Sequence, residues 1–196
     1  MNESFTNIRH ERSKKDFPHL KLEDGEYVEL AFSRAKIYLM AVVGGCIATA
    51  VILLIVFAIT MATGSFATDA GRSFLAIVFL VVITVVMLAG LISLRIYRGN
   101  KLFITNKRVM QFSMSSLVSS SVNIIDLKSI EDASFRQDSL LQKIFKFGTL
   151  RLSTVGDETT YTFPYSDISG EELKVIAYLV SNAKKQAHPP KPNDEA

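Results

Sequence analysis

The sequence predicts a membrane α-helical hairpin of two spans, joined to a mostly β, α+β cytoplasmic domain: an antiparallel curved sheet or partial barrel with a C-terminal helix. Three observations predict it. Residues 37–68 and 73–94 contain no charged side chain, and only Asp69 and Arg72 lie between them. From residue 100 onward the apolar pattern breaks into short β segments divided by turn residues. The last regular segment, residues 170–186, returns to helical spacing, with Leu173, Ile176, Ala177 and Val180 on one face.

Composition narrows the classes. A chain of 196 residues leaves room for one modest globular domain beside the hairpin, and a net charge of +3 is too small to argue for nucleic acid. The single cysteine, Cys46, falls inside the first apolar run and reads as a small lipid-buried side chain; no intrachain disulfide can form. His10, His19 and His188 lack ligand spacing, so no metal and no cofactor is expected.

Taken in order, residues 1–16 are polar and mixed in charge, and are expected to form a disordered tail. Residues 17–36 read as an extended lead-in. Two short extended pieces, around Leu20–Leu22 and Tyr27–Leu30, flank an Asp24-Gly25 turn and are expected to pack on the C-terminal domain. Residues 37–94 form the hairpin, with spans over 37–61 and 73–94, because about 20 apolar residues in a helix cross the ~30 Å hydrocarbon core. The first run is too long and starts too far in for a cleaved secretory signal, and is expected to stay as a signal anchor. Arg34 and Lys36 precede the spans, and Arg95, Arg98, Lys101, Lys107 and Arg108 follow them, whereas the connecting loop offers only Arg72 beside Asp69. This asymmetry puts both termini in the cytoplasm and the loop outside, in the cell (inner) membrane. Small residues Ala41, Gly45 and Thr49, with Gly44 and Ala48 beside them, form a stripe expected to pack against Ala89, Gly90 and Ser93, with a homodimer as the lesser option. Neither span holds an ionisable group at depth, which disfavours a pump or transporter acting alone.

Residues 95–186 form the domain. Strands are expected at 101–105 and 108–114 around an Asn106-Lys107 turn, then a serine-rich loop at 115–121. Strands at 122–125 and 129–135 follow, with a kink at Asp126-Leu127. Ser139 with Gln142 has capping-box spacing for one or two helical turns, and Gly148 suits a helix stop. Segments 149–154 and 159–163 read as a hairpin around Gly156-Asp157, and Ser169 with Glu172 opens the final helix. Residues 187–196, rich in proline and charge, are expected to be a disordered tail.

Several of these residues carry a family resemblance. The Thr105-x-x-Arg108 entry, the stretch around Ile125, Leu127 and Ile130, and the run from Asp138 to Phe147-Gly148-Thr149-Leu150 resemble the bacterial pleckstrin-homology-like (PH-like), membrane-flanked domain family. The acidic lead-in Leu22-Glu23-Asp24-Gly25-Glu26 is similar to that of its two-span members. Gln111-Phe112-Ser113 departs from the family pattern, where many members place a glycine-containing turn. The resemblance implies a PH-like fold and a membrane setting, with no catalytic set.

No convergent nucleophile, carboxylate pair, Gly-rich phosphate loop or Cys/His cluster is visible in the β domain, so the protein is not expected to be an enzyme. The cations are more informative. Arg95, Arg98, Lys101, Lys107 and Arg108, with Lys143 and Lys146 beside the short helix, are the candidate membrane- and lipid-contacting residues. Non-specific contact with anionic headgroups is the expectation. The apolar residues of the short helix, Leu140, Leu141, Ile144, Phe145 and Phe147, are expected to cover the core. Two functions fit. One is a membrane-tethered module that offers its PH-like domain to a partner protein, another copy of itself or an anionic inner-leaflet phospholipid. The other is an accessory subunit of a membrane transport or export assembly.

Overall fold

The computed structural model describes residues 3–63, 68–154 and 160–187. Residues 36–98, with 115–119, make one compact unit, and the remaining described residues make a second.

The first unit contains helix α2 (Lys36–Ala62) and helix α3 (Asp69–Gly99). At 1.5 Å per residue they are about 40 and 46 Å long. Both are apolar enough to cross a membrane, with best-window mean hydropathies of 2.9 and 3.2, and neither has a buried residue in those windows. A core helix of a soluble protein would hide such a surface. Here Ile47, Ile52, Leu80 and Leu91 all stand exposed. Three contacts link the helices. Tyr38 stacks on Tyr97, Phe57 stacks on Phe79 with centroids 4.6 Å apart, and Cys46 Sγ lies 3.0 Å from where a Cβ on Gly90 would sit. Ascending positions on α2 meet descending positions on α3, as in an antiparallel pair. Gly90, an expected partner of the small-residue stripe, does meet α2, but at Cys46; no atom comes within 4 Å of where a Cβ on Gly44 or Gly45 would sit.

The second unit begins with a difference from expectation. Residues 3–16, expected to be disordered, form helix α1 (Glu3–Asp16). Helix α1 has no amphipathic stripe and is held by polar contacts. Ser13 Oγ accepts from Val28 N at 3.0 Å, buried His10 donates to the Glu26 carbonyl, and Arg9 pairs with Glu29 at 2.9 Å. The lead-in contributes one strand, β1 (Val28–Ser33), rather than two extended pieces.

Strands β1, β2 (Lys101–Thr105), β3 (Arg108–Met114) and β4 (Ser120–Asp126) form an antiparallel sheet in that order. A 3-10 turn at Leu127–Ser129 replaces the expected kink and leads to β5 (Ile130–Arg136). A short helix α4 (Leu140–Ile144) follows, and β5 pairs with β6 (Gly148–Thr154), which pairs with β7 (Thr160–Ser166). The turn expected at Gly156-Asp157 lies outside the described residues, as does nearly all of the tail at 187–196. Helix α5 (Gly170–Ala187) closes the domain, opened by Ser169 Oγ accepting from Glu172 N at 3.2 Å.

Burial follows strand alternation. Leu102 and Ile104 point into a core shared by both sheets, with Val109, Leu127, Ile130, Leu150, Phe163 and, from α5, Ile176 and Val180. Leu173 packs on the inner face of α5 as expected, whereas Ala177 is exposed and Leu179 and Ala183 pack there as well. Phe103 and Met110 point to the opposite face of the first sheet, where Phe17, Leu20 and Leu22 cover them. Gln111 Nε2 donates to the Thr162 carbonyl at 2.9 Å and so joins the two sheets. No turn occurs at Gln111-Phe112-Ser113, because β3 continues to Met114.

Candidate functional site

The domain has two chemically different ends, set by the direction of β2. At one end the chain passes to and from the long helices. Ser33, three residues before α2, pairs with Lys101, two residues after α3 ends. At the other end, Val28 pairs with Thr105 and the β2–β3 turn begins. Strand β2 separates these ends by roughly 13 Å at about 3.3 Å per residue.

At the far end, acids and bases are matched. Glu26 is fully buried and accepts four hydrogen bonds: Arg108 Nε (3.0 Å) and Thr105 Oγ1 (2.8 Å) on one oxygen, Arg108 NH2 (2.9 Å) and Glu23 N (2.8 Å) on the other. Burial pushes the Glu26 carboxyl up, but the donors from Glu23, Arg108 and Thr105 outweigh it and hold the carboxyl below its ordinary value. Arg108, its side chain 17% exposed, is raised above the usual guanidinium value chiefly by its bond to Glu26. Arg108 also meets Glu23 at 3.1 Å and the Lys21 carbonyl at 3.0 Å. Lys107 reaches Glu23 at 3.5 Å and the Asp24 carbonyl at 3.1 Å. Asn106 grips the same segment, accepting from Tyr27 N and donating to the Gly25 carbonyl. Gly25, at φ +72°, makes the turn that aims Glu26 inward. A polar cleft of about 700 Å³ adjoins this end, lined by Glu23, Lys107, Arg108, Asp126 and Lys128. Its charges have both signs, and Lys107, Arg108 and Lys128 each have an acid within ion-pair distance.

The end at which the chain joins the long helices is different. Arg34 bridges to Ser166, Ala35 N donates to the Tyr165 carbonyl, and Ser166 pairs with Gly148, the residue that starts β6 just after α4. Helix α4 therefore projects from the end of the domain at which the chain leaves for α2. It is held from beneath by polar groups. Ser139 and Gln142 form the expected capping box, and Gln137 Nε2 donates to the carbonyls of Gln142 and Phe147, each at 3.1 Å. Phe147, buried, stacks against Tyr165.

Of the apolar residues expected to cover the core, Phe147 is buried, but the four on α4 and its cap are not. Leu140, Leu141, Ile144 and Phe145 are 78, 62, 69 and 52% exposed. Their i, i+4 spacing puts them on one face, and the attachment through Gln142 and Phe147 turns that face outward. Lys143 and Lys146 are exposed beside them and have no ion-pair partner among the described residues. Arg136 is 61% exposed and lies 3.6 Å from Asp138. Gly148 does not stop α4. Lys146 makes the left-handed turn at φ +53°, and Gly148 is needed because a Cβ there would collide with the Arg136 carbonyl and come within 2.7 Å of the Phe135 ring.

The seven cations singled out in the sequence are thus dispersed. Arg95 and Arg98 occupy the last turns of α3, exposed. Lys101 is exposed at the start of β2. Lys107 and Arg108 lie at the other end of that strand, engaged with Glu23 and Glu26. Lys143 and Lys146 flank α4. From sequence, the acids Glu23, Asp24, Glu26 and Glu29 are expected to face the basic stretch after the second span as surface pairs. Glu23 and Glu26 do meet Arg108, but Glu26 is buried, and sequence reasoning missed that burial and the outward face of α4. Helical spacing identifies a face but not its direction. Among the described residues no group of three His, Cys, Asp or Glu side chains converges as a metal site.

A family model described as a bacterial PH domain matches residues 37–184, well over half of the chain, and runs through both long apolar helices. This chain belongs to the bacterial PH domain family. The match begins inside α2, so β1 and the Glu26 segment lie outside it. Among solved structures, the chain is similar to a DUF1696 family protein with a pleckstrin-homology domain from Shewanella loihica PV-4. The two share 15% identity over 43% of this chain and 70% of that one, with a TM-score of 0.32. No curated protein matches the chain in sequence.

Proposed function

We propose that this bacterial PH domain protein is a non-enzymatic, membrane-anchored interaction module. Helices α2 and α3 cross the bilayer, both termini face the cytoplasm, and the PH-like domain is held close to the inner leaflet by connectors of two residues and one residue. The observation that carries this is the exposure of both long helices: apolar windows of hydropathy 2.9 and 3.2 with nothing buried leave lipid as the solvent that satisfies them. The excess of Arg34, Lys36, Arg95, Arg98 and Lys101 over the lone Arg72 of the connecting loop supports the orientation. The fully paired Glu26–Arg108 cluster supports a structural rather than a catalytic role for the most deeply buried charges in the domain.

The test is extraction and labelling of the full chain. It is expected to remain with membranes at alkaline carbonate. In a Cys46→Ala background, Thr68→Cys is expected to react with an impermeant thiol reagent from outside intact cells. Release into the aqueous fraction would sink the anchor, and labelling only after lysis would reverse the orientation. Stoichiometric co-purification of other multispan proteins from detergent would favour the accessory-subunit reading instead.

A further inference from the structure

We propose that α4 is a third membrane contact: a cation-rimmed apolar knob that docks on the anionic face of the bilayer that α2 and α3 cross. The proposal rests on the reading of those helices as spans. Three observations carry it together. Leu140, Leu141, Ile144 and Phe145 share one exposed face on a helix too short to be stable alone, yet rigidly held by the Ser139–Gln142 box and Gln137. Three basic side chains, Arg136, Lys143 and Lys146, flank that face, and among the described residues the only carboxylate that meets any of them is Asp138, opposite Arg136. The knob stands at the end of the domain where Arg34 and Ala35 bridge to Ser166 and Tyr165, one residue before α2 starts.

Apolar residues among headgroups with cations at phosphate level is the chemistry of an interfacial membrane contact. A protein groove would meet the four apolar side chains equally well, but it would not explain why Lys143 and Lys146 stay without a carboxylate at this end when the other end of the domain pairs its own cations. The connectors also give the bilayer a high effective concentration, which lets a weak contact form. Docking at α4 would fix the orientation of the domain, leaving the α5 face and the polar cleft directed to the cytoplasm.

The experiment uses the full chain reconstituted in vesicles, in the Cys46→Ala background, with an environment-sensitive fluorophore on Ile144→Cys and, as a control, on Tyr178→Cys of α5, which is also exposed. With phosphatidylglycerol–phosphatidylcholine vesicles the Ile144 probe is expected to shift to the blue, to be quenched by spin-labelled lipid and to be shielded from iodide. The Tyr178 probe is expected to remain in water. Lys143→Gln and Lys146→Gln are each expected to weaken docking about fivefold, from about 1 kcal/mol per basic residue, and raised salt to weaken it further.

A chain that resists carbonate extraction but whose Ile144 probe stays open to iodide in both anionic and neutral vesicles overturns the docking and leaves the spans standing. Shielding that rises with protein density, independent of phosphatidylglycerol, assigns the face to a second copy and also overturns it. Release of the chain by carbonate sinks the span reading, and the docking falls with it.

Discussion

The two ends of the domain use cations in opposite ways. At the β2–β3 turn, Arg108 and Lys107 are matched by Glu23, Glu26 and backbone carbonyls, and the central carboxylate is wholly shielded from water. At the α4 end, Lys143 and Lys146 stand in solvent beside four exposed apolar side chains. Both sets look alike in a list of charges. A cation with a buried acid partner serves the fold, and a cation left at the rim of an apolar face is available to something outside it.

The largest expected effect breaks the matched end. Removing one partner of a buried pair strands the other, so Glu26→Ala is expected to cost about 3 kcal/mol, measured by thermal unfolding of the full chain in detergent micelles. Because both residues act in one network, Glu26→Ala with Arg108→Ala is expected to cost less than the two single changes summed. An additive result would mean that the bidentate geometry contributes nothing beyond two separate residues.

At the α4 end the sensitive position is a glycine and not a charge. Gly148→Ala is expected to destabilise by about 2 kcal/mol, because the new methyl group meets the Arg136 carbonyl and the Phe135 ring in a packed corner between β5 and β6. A neutral outcome would show that α4 is loosely seated and can shift to admit the methyl group, which would weaken its standing as a rigid knob.

Much of this architecture is legible in the sequence, and what is not has a physical reason. Strands β2 and β3 match expectation because Asn106-Lys107 marks the turn and the alternation of Val109, Gln111 and Ser113 marks the faces. The Ser139 and Ser169 capping boxes are local, four-residue devices and can be read directly. Helix α1 is hidden because polar anchors such as Ser13 and His10 leave no periodic trace. Opposite charge suggests that the acidic lead-in faces the basic stretch after the second span, but that Glu26 is the acid buried against Arg108 is set by the fold and not by the sequence pattern. The outward direction of α4 depends on Gln137 and Phe147 gripping it from behind, a tertiary fact that its own five residues do not encode.

Protonation gives a gentler test of the matched end. The folded Glu26 carboxyl titrates below its unfolded value of about 4.3, so on acidification the unfolded chain takes up the proton first. The contribution to stability is whole above the unfolded value and is lost as pH falls through the lowered folded value. The native chain is therefore expected to lose thermal stability more steeply below about pH 4.3 than Glu26→Gln, with the two curves converging in strong acid. Parallel curves throughout would place the acid sensitivity on other carboxylates.

The smallest expected change in stability is the most telling for the comparison. Replacing Leu141 and Ile144 by Ser removes two large apolar side chains, a change that in a core would cost several kcal/mol. On a face already 62 and 69% exposed it is expected to move the unfolding midpoint of the detergent-solubilised chain by less than the equivalent of about 0.5 kcal/mol. A surface that keeps such residues without using them for folding exposes them to aggregation at no structural gain. If the double variant unfolds several kcal/mol more easily, α4 serves the core after all and the contrast between the two ends disappears. If its stability is intact while the domain loses its hold on anionic vesicles, the apolar face has been separated from the fold and tied to the membrane by one pair of substitutions.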